Sequence, residues 1–170
     1  MELVFAFVLS LSVVYDLRER RIPNALTLGG LLAALCLRLA LEPASVWAGV
    51  LGAGLGLVVA LPLFALGAFG AGDGKLLVAV GAFLGLDGLP AAILATGIFG
   101  GLLSVVSLWR RGVLLPALLQ ARDLALFWVT LGRVGERRTL GTSAGDSAVP
   151  YGVAIAAGAA LIWATGISIP

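Results

Sequence analysis

The sequence contains no histidine and a single cysteine, Cys36, and only 12% of its 170 residues are charged. Without histidine, the chain lacks the commonest metal ligand and the side chain that most often acts as a general base near neutral pH. One cysteine can form neither an intrachain disulfide nor a paired-cysteine zinc site. Any acid–base chemistry must therefore use carboxylates, lysine, tyrosine or the one thiol, and we expect neither a metal nor a cofactor.

The scarcity of charge accompanies an excess of apolar residues. The chain is 61% hydrophobic, its mean hydropathy is +1.11, and a soluble domain carries roughly 25% charged residues. These values and the long apolar runs predict an integral protein of the lipid bilayer. The net charge of +2 is too small to indicate a nucleic-acid partner. At this length we expect one membrane-embedded domain over residues 1–170, and the sequence leaves its oligomeric state open.

The apolar runs predict an all-α bundle of about six transmembrane helices. They cover residues 3–15, 25–41, 46–69, 74–86, 91–108 and 149–169. Residues 113–131 are also apolar, but Arg122 and Asp123 near their middle would each cost about 2.5–3.5 kcal/mol on insertion. We therefore expect an interfacial helix on the cytoplasmic side there.

Basic residues orient this topology. With the N-terminus outside, all of the 11 lysines and arginines except Arg38 fall on the cytoplasmic side, as the positive-inside rule requires. Many glycines lie within the spans, and we expect them to allow close helix packing in lipid. They include Gly49, Gly52, Gly56, Gly97 and Gly101.

Two aspartates fall at one depth in this topology. Asp16 lies near the end of the first span, in the stretch YDLRERRIPN, and Asp73 opens the fourth span, in FGAGDGKLL. Both are expected near the cytoplasmic boundary, where a short carboxylate side chain cannot extend to the headgroups as arginine does. An ionisable residue within a membrane helix is a functional candidate by default.

A pair of nearby carboxylates can share one proton, so that one acts as a base towards water and the other as an acid. Gly70, Gly72 and Gly74 surround Asp73 and would leave room for an extended peptide beside it. The residue types alone also allow structural roles. Asp73 could cap a helix N-terminus, and Asp16 could pair with Arg20 one turn later.

The two aspartate segments resemble the motifs of the type IV prepilin peptidases, the GxGD membrane aspartyl proteases. GAGDGK at 70–75 is similar to their GxGDxK element, and DLRERRIPN at 16–24 to their first aspartate motif. Pro150-Tyr151-Gly152 with Gly158 resembles their element in the final span. Presenilin-like proteases share a YD…GxGD pattern, but the Ile-Pro-Asn run and Lys75 favour the prepilin class.

The resemblance implies a protease of the inner (cytoplasmic) membrane whose catalytic residues are Asp16 and Asp73. Its implied substrates are prepilin-like proteins with a short basic leader, usually ending in glycine, before a hydrophobic helix. Gly70, Gly72, Gly74 and Lys75 would bind the substrate or belong to the active-site loop. Lys75 could also tune the protonation of the aspartates, contact a lipid phosphate or extend to the headgroups.

The chain is most similar in pattern to the short forms that serve tight-adherence pili or to archaeal preflagellin peptidases. Longer bacterial members carry paired CxxC motifs and also N-methylate the new N-terminus; this chain has Cys36 alone, so the resemblance leaves methylation open. The alternative function is a non-enzymatic transporter or channel subunit that uses the two acids as a proton or ion relay.

Overall fold

The computed structural model describes residues 1–65, 69–110, 112–116, 118–119, 122 and 151–166. Its helices are α1 (Glu2–Glu19), α2 (Asn24–Leu41), α3 (Val46–Ala65), α4 (Ala71–Arg110) and α5 (Tyr151–Thr165), and a short 3₁₀ helix (Pro43–Ser45) joins α2 to α3. The described residues contain no strand, which confirms the all-α prediction. Most of the interfacial helix expected over residues 113–131 lies outside the described residues.

Within the described residues, three helical stretches are long and apolar enough to cross a membrane: Asn24–Leu41, Pro43–Ala65 and Ala71–Arg110. Large apolar side chains on the outer faces of these helices are exposed, for example Trp47 at 73% and Ile98 at 71%. A bilayer would cover such surfaces. The chain is therefore a helical membrane protein; the count of six spans and the outside N-terminus stay predictions.

Helix α4 contains a break at Gly85, whose φ of 75° and ψ of −174° are accessible in practice only to glycine. A straight helix of 40 residues would be about 60 Å long, roughly twice the thickness of the hydrocarbon core. The break divides α4 into a first segment, residues 71–84, and a second segment, residues 86–110.

The position of this break corrects the prediction from the sequence, in which the fourth span ended at residue 86 because the turn-forming residues Asp87-Gly88 and Pro90 follow. Both Asp87 and Pro90 lie in helix, close to the start of the second segment. Proline interrupts the fewest intrahelical hydrogen bonds near a helix start. The residues that indicate a turn in the sequence therefore lie a few positions after the actual break, which occurs at Gly85 because only glycine can adopt its conformation.

Arg38 of α2 supports the broken helix. Its Nε donates to the carbonyl oxygen of Ala82 at 2.9 Å and its Nη2 to that of Phe83 at 2.9 Å, while Nη1 donates to Ser45 at 3.1 Å. The first two carbonyls end the first segment of α4, where helical partners run out. The one basic residue expected on the outer side is thus a helix cap supplied by a neighbouring helix.

Small residues allow α3 to pack closely against the first segment of α4. A Cβ atom at Gly56 would lie 2.9 Å from the carbonyl oxygen of Leu77, and one at Gly52 would collide with the carbonyl of Gly81. Gly49 leaves space for the side chain of Arg38. The packing role expected for these three glycines is confirmed. At Gly97 and Gly101, no described atom would lie within 4 Å of an added Cβ atom, so that role is not found there.

Aromatic rings join α1, α4 and α5 at the core. The ring of Phe5 lies 4.7 Å from that of Phe83 and 4.9 Å from that of Trp163, measured between centroids. Phe5 and Phe83 are both almost fully buried. With Phe5 near Trp163 and Asp16 near Val153, α1 and α5 run antiparallel.

The chain divides into two compact units, Met1–Gly100 with Pro150–Pro170, and Gly101–Val149. The first unit contains the aromatic core and every residue of the site described below. The second unit includes the end of α4. The expectation of one domain over residues 1–170 stays a prediction.

We predict that Arg38→Met lowers the free energy of unfolding by about 2 kcal/mol, because three carbonyl oxygens lose a charged donor. Arg38→Lys should recover only part of the lost free energy of unfolding, since the ammonium group of lysine cannot reproduce the planar arrangement of donors in guanidinium. Thermal unfolding in detergent, followed by circular dichroism, measures the effect. The control is Arg18→Met, at an exposed position on α1, which should change stability by less than about 0.5 kcal/mol. Equal effects at both positions would contradict the capping role.

Candidate active site

The candidate site is built where α1 ends, α2 and α4 begin, and α5 begins. Helix α1 ends because Arg20 adopts a left-handed conformation with φ of 50°, and its backbone N–H donates to the carbonyl oxygen of Asp16. Pro23 then takes an extended conformation and starts α2, accepting backbone hydrogen bonds from Leu26 and Thr27. The Ile-Pro-Asn run therefore forms a tight connection that returns the chain beside Asp16.

Asp16 is held by the first turn of α5. Its side chain is only 6% exposed, and its Oδ2 accepts a hydrogen bond from the backbone N–H of Val153 at 3.1 Å. The N–H groups in the first turn of a helix have no partner within that helix, and they favour an anion. The hydrogen-bond partner of Asp16 is thus a backbone donor 137 positions away. Arg20, the partner that the sequence also allowed, lines the same cavity as Asp16.

Asp73 is held by its own helix. Its Oδ2 accepts a hydrogen bond from the backbone N–H of Gly70 at 3.1 Å, one residue before α4 begins at Ala71. This is the return half of a capping box, in which the third residue of the helix binds the residue that precedes it. The sequence allowed Asp73 to be the N-cap residue itself, but Gly70 holds that position and Asp73 is the third residue of the helix.

The two carboxylates share one cavity of about 420 Å³. One wall comes from the end of α1 and the start of α2, and the other from the start of α4. The lining residues are Asp16, Arg20, Arg21, Ile22, Asn24, Gly70, Ala71, Gly72, Asp73 and Lys75. Two carboxylates that line one cavity can share a proton, because the shared proton relieves the repulsion between like charges.

The glycines around Asp73 have different surroundings. Gly70 and Gly72 line the cavity, whereas Gly74 is buried, with a Cβ atom there only 3.3 Å from that of Ala60 on α3. A Cβ atom at Gly72 would lie 3.2 Å from that of Ile22. The active-site loop expected from the sequence is mostly helix, because Gly72, Gly74 and Lys75 lie in the first two turns of α4. None of the three glycines has a positive φ. Close approach, rather than an unusual backbone conformation, is what these positions require.

Lys75 lines the cavity and reaches across it. Its Nζ donates a hydrogen bond of 2.8 Å to Oδ1 of Asn24, the first residue of α2. Lys75 therefore contacts a partner in the other aspartate segment instead of only extending into solvent. With Arg20 and Arg21 it contributes positive charge around the two carboxylates.

Ile22, Asn24 and Val153 lie at the site but are not among the site residues expected from the sequence. Ile22 and Asn24 belong to the Ile-Pro-Asn run, and that run was the signal that could have identified them. Val153 contributes its backbone N–H, and the identity of its side chain could not have predicted this role. In the described part of the chain, no group of three or more metal-ligating side chains occurs.

Comparison with known proteins identifies the family of the chain. A family model described as the type IV leader peptidase family matches residues 3–105, a range that includes both aspartates. The chain belongs to this family. The resemblance seen in the two aspartate motifs is thereby confirmed.

Two relatives in this family are the prepilin leader peptidase/N-methyltransferases of Burkholderia pseudomallei strains 1026b and K96243. Each is 38% identical to the chain over 112 residues, which is 62% of this chain and 36% of the relative. The chain therefore matches about a third of the length of these relatives. No solved structure matches the chain.

We predict that Gly152→Ala disturbs the site directly. The added Cβ would lie 2.7 Å from Oδ2 of Asp16 and 3.0 Å from Cδ1 of Ile22, so the carboxylate or α5 must move. Overpacking of this kind costs about 1–3 kcal/mol. Unfolding in detergent should show this loss.

The matched control is Gly29→Ala on α2, where no described atom lies within 4 Å of the added Cβ. Alanine is favoured over glycine in a helix interior by roughly 1 kcal/mol, so this variant should be as stable as the parent or slightly more so. A loss at Gly29 as large as that at Gly152 would contradict the contact with Asp16.

Proposed function

We propose that the chain is a membrane aspartic endopeptidase that removes the short basic leader of prepilin-like proteins. The observation that carries the proposal is that Asp16 and Asp73, from helices far apart in sequence, line one cavity. Membership of the type IV leader peptidase family and the names of the Burkholderia relatives support the same activity.

The reaction is hydrolysis of a peptide bond by a carboxylate pair that holds one proton. The ionised carboxylate takes a proton from water as the water oxygen bonds to the carbonyl carbon, while the protonated carboxyl donates its proton towards the carbonyl oxygen. Collapse of the tetrahedral intermediate breaks the C–N bond as one of its two hydroxyl groups returns a proton to the ionised carboxylate. The leaving nitrogen takes a proton from the other carboxyl group, so the pair again holds one proton. No group beyond two carboxylates and water is needed.

The substrate would lie in the cavity as an extended chain. Gly70 and Gly72 place backbone rather than side chains at the cavity wall beside Asp73, which leaves room for a peptide backbone. A basic leader followed by a hydrophobic helix would present its cleavage site at the membrane boundary. We place that boundary at the cytoplasmic face of the inner membrane, where the positive-inside rule puts both aspartates. The proposal covers the peptidase step alone and not N-methylation.

The position of the acids along their helices favours this function over a proton or ion relay. Asp16 lies in the last turn of α1, which ends at Glu19, and Asp73 in the first turn of α4. Transporters bind their substrates and coupling ions near the middle of the bilayer, at interrupted helices. Two acids at helix ends suit a cut at the membrane surface.

We predict that Asp16→Asn and Asp73→Asn each abolish leader removal, because an amide can neither accept nor donate the transferred proton. The assay is co-expression with a reporter that carries a short basic leader ending in glycine and an apolar helix of about 20 residues. Gel mobility and mass spectrometry of the reporter measure cleavage. The losses should exceed about 1,000-fold, since general acid–base catalysis alone contributes 10²–10⁴-fold.

Asp87→Asn is the matched control, because Asp87 is exposed and lies just after the Gly85 break, outside the cavity lining. It should cleave as the parent does. Full cleavage by either Asp16→Asn or Asp73→Asn would overturn the assignment of the pair.

A further inference from the structure

The two aspartate segments are joined by a hydrogen bond that the proposed reaction does not use. Nζ of Lys75 donates to Oδ1 of Asn24 at 2.8 Å, across 51 positions of sequence. Asn24 begins α2, directly after the connection that follows Asp16, and Lys75 lies two residues after Asp73 on α4. The bond therefore joins the two walls of the cavity.

A second contact lies on the same connection. Ile22 is 7% exposed, and a Cβ atom at Gly72 would lie 3.2 Å from its Cβ and 3.3 Å from its backbone nitrogen. Ile22 thus limits how closely α4 can approach the connection, while the bond between Asn24 and Lys75 limits how far it can withdraw. Together they restrict the separation of the walls in both directions.

We propose that Asn24 and Lys75 are positioning residues that set the separation of the Asp16 and Asp73 carboxylates. This inference rests on the proposed peptidase function. Asp16 is fixed on the other side by the N–H of Val153, and Asp73 by the N–H of Gly70. In the described residues, the hydrogen bond between the side chains of Asn24 and Lys75 connects the segment that contains Asp16 to the segment that contains Asp73.

The chemistry of the bond suits a positioning role. A charged donor and a neutral amide oxygen form a charge-assisted hydrogen bond, which is stronger and shorter than a neutral one. Lys75 is not adjacent to Asp73 on the helix surface, because residues two apart do not face each other. Its ammonium group can thus bind Asn24 while the Asp73 carboxylate binds Gly70.

The test is a double-mutant cycle on leader removal with Asn24→Leu, Lys75→Met and the two combined. Each single change should lower kcat by about 10- to 100-fold, as expected for a misplacement of roughly 1 Å, with little change in KM. The double variant should lose no more kcat than the worse single variant, because both single changes remove the same bond.

Asn24→Asp keeps an oxygen acceptor for Lys75 and should cleave close to the parent rate. Arg18→Met, at an exposed basic residue outside the cavity lining, is the control and should leave kcat unchanged.

A second readout does not depend on activity. Lys75 is the only lysine in the sequence, so reductive ¹³C-methylation labels one side chain and the N-terminal amine. The methyl resonance of Lys75 should shift in Asn24→Leu and stay near its parent position in Arg18→Met. No shift in Asn24→Leu would overturn the bond itself, even if a variant were too unstable to assay.

The two proposals fail in distinguishable ways. If the parent does not cleave the reporter, or if Asp16→Asn and Asp73→Asn do, the proposed function is overturned. If those two variants are inactive while Asn24→Leu and Lys75→Met retain the parent kcat, the positioning proposal alone is overturned. Losses that add in the double variant, or that appear only in KM, would also overturn it.

Discussion

A hydrogen bond from the backbone N–H of Val153 to the carboxylate of Asp16 joins the end of the first helix to the start of the last. A helix start carries N–H groups without intrahelical partners and a partial positive charge. In an apolar bundle, a carboxylate and such a helix start satisfy each other. Asp73 makes the corresponding bond to Gly70 at the start of α4. Each aspartate is therefore a helix cap as well as a candidate catalytic group.

Capping and catalysis are compatible because the hydrogen bonds from Val153 and Gly70 each engage one oxygen, Oδ2, of a carboxylate that has two. The caps restrict the rotation of both side chains before any substrate arrives, which is the form of preorganisation that catalytic groups require. Glycine makes the arrangement feasible. At Gly152 there is room for the Asp16 carboxylate, and at Gly72 there is room for Ile22. Capping, close packing and the proposed chemistry thus depend on the same few contacts.

The sequence predicted the parts of this site that follow from topology. The lengths of the apolar runs and the distribution of arginines were enough to bring Asp16 and Asp73 together, and both residues line one cavity. Their common membrane depth stays a prediction. The binding partners could not be predicted, because Val153 and Asn24 are brought in by tertiary packing and one of them acts through its backbone. The break in α4 was misplaced for a similar reason. Asp87-Gly88 and Pro90 give a strong local turn signal, but the conformation at Gly85 is supported by Arg38 on another helix.

The central claim is that Asp16 and Asp73 act on one water and one peptide bond. The most direct measurement is an experimental structure of the chain with a leader-like peptide in which a secondary hydroxyl replaces the scissile carbonyl. We expect the hydroxyl oxygen to lie within about 3 Å of a carboxylate oxygen of both aspartates. A hydroxyl bound to one aspartate while the other stays outside hydrogen-bond distance would contradict the account.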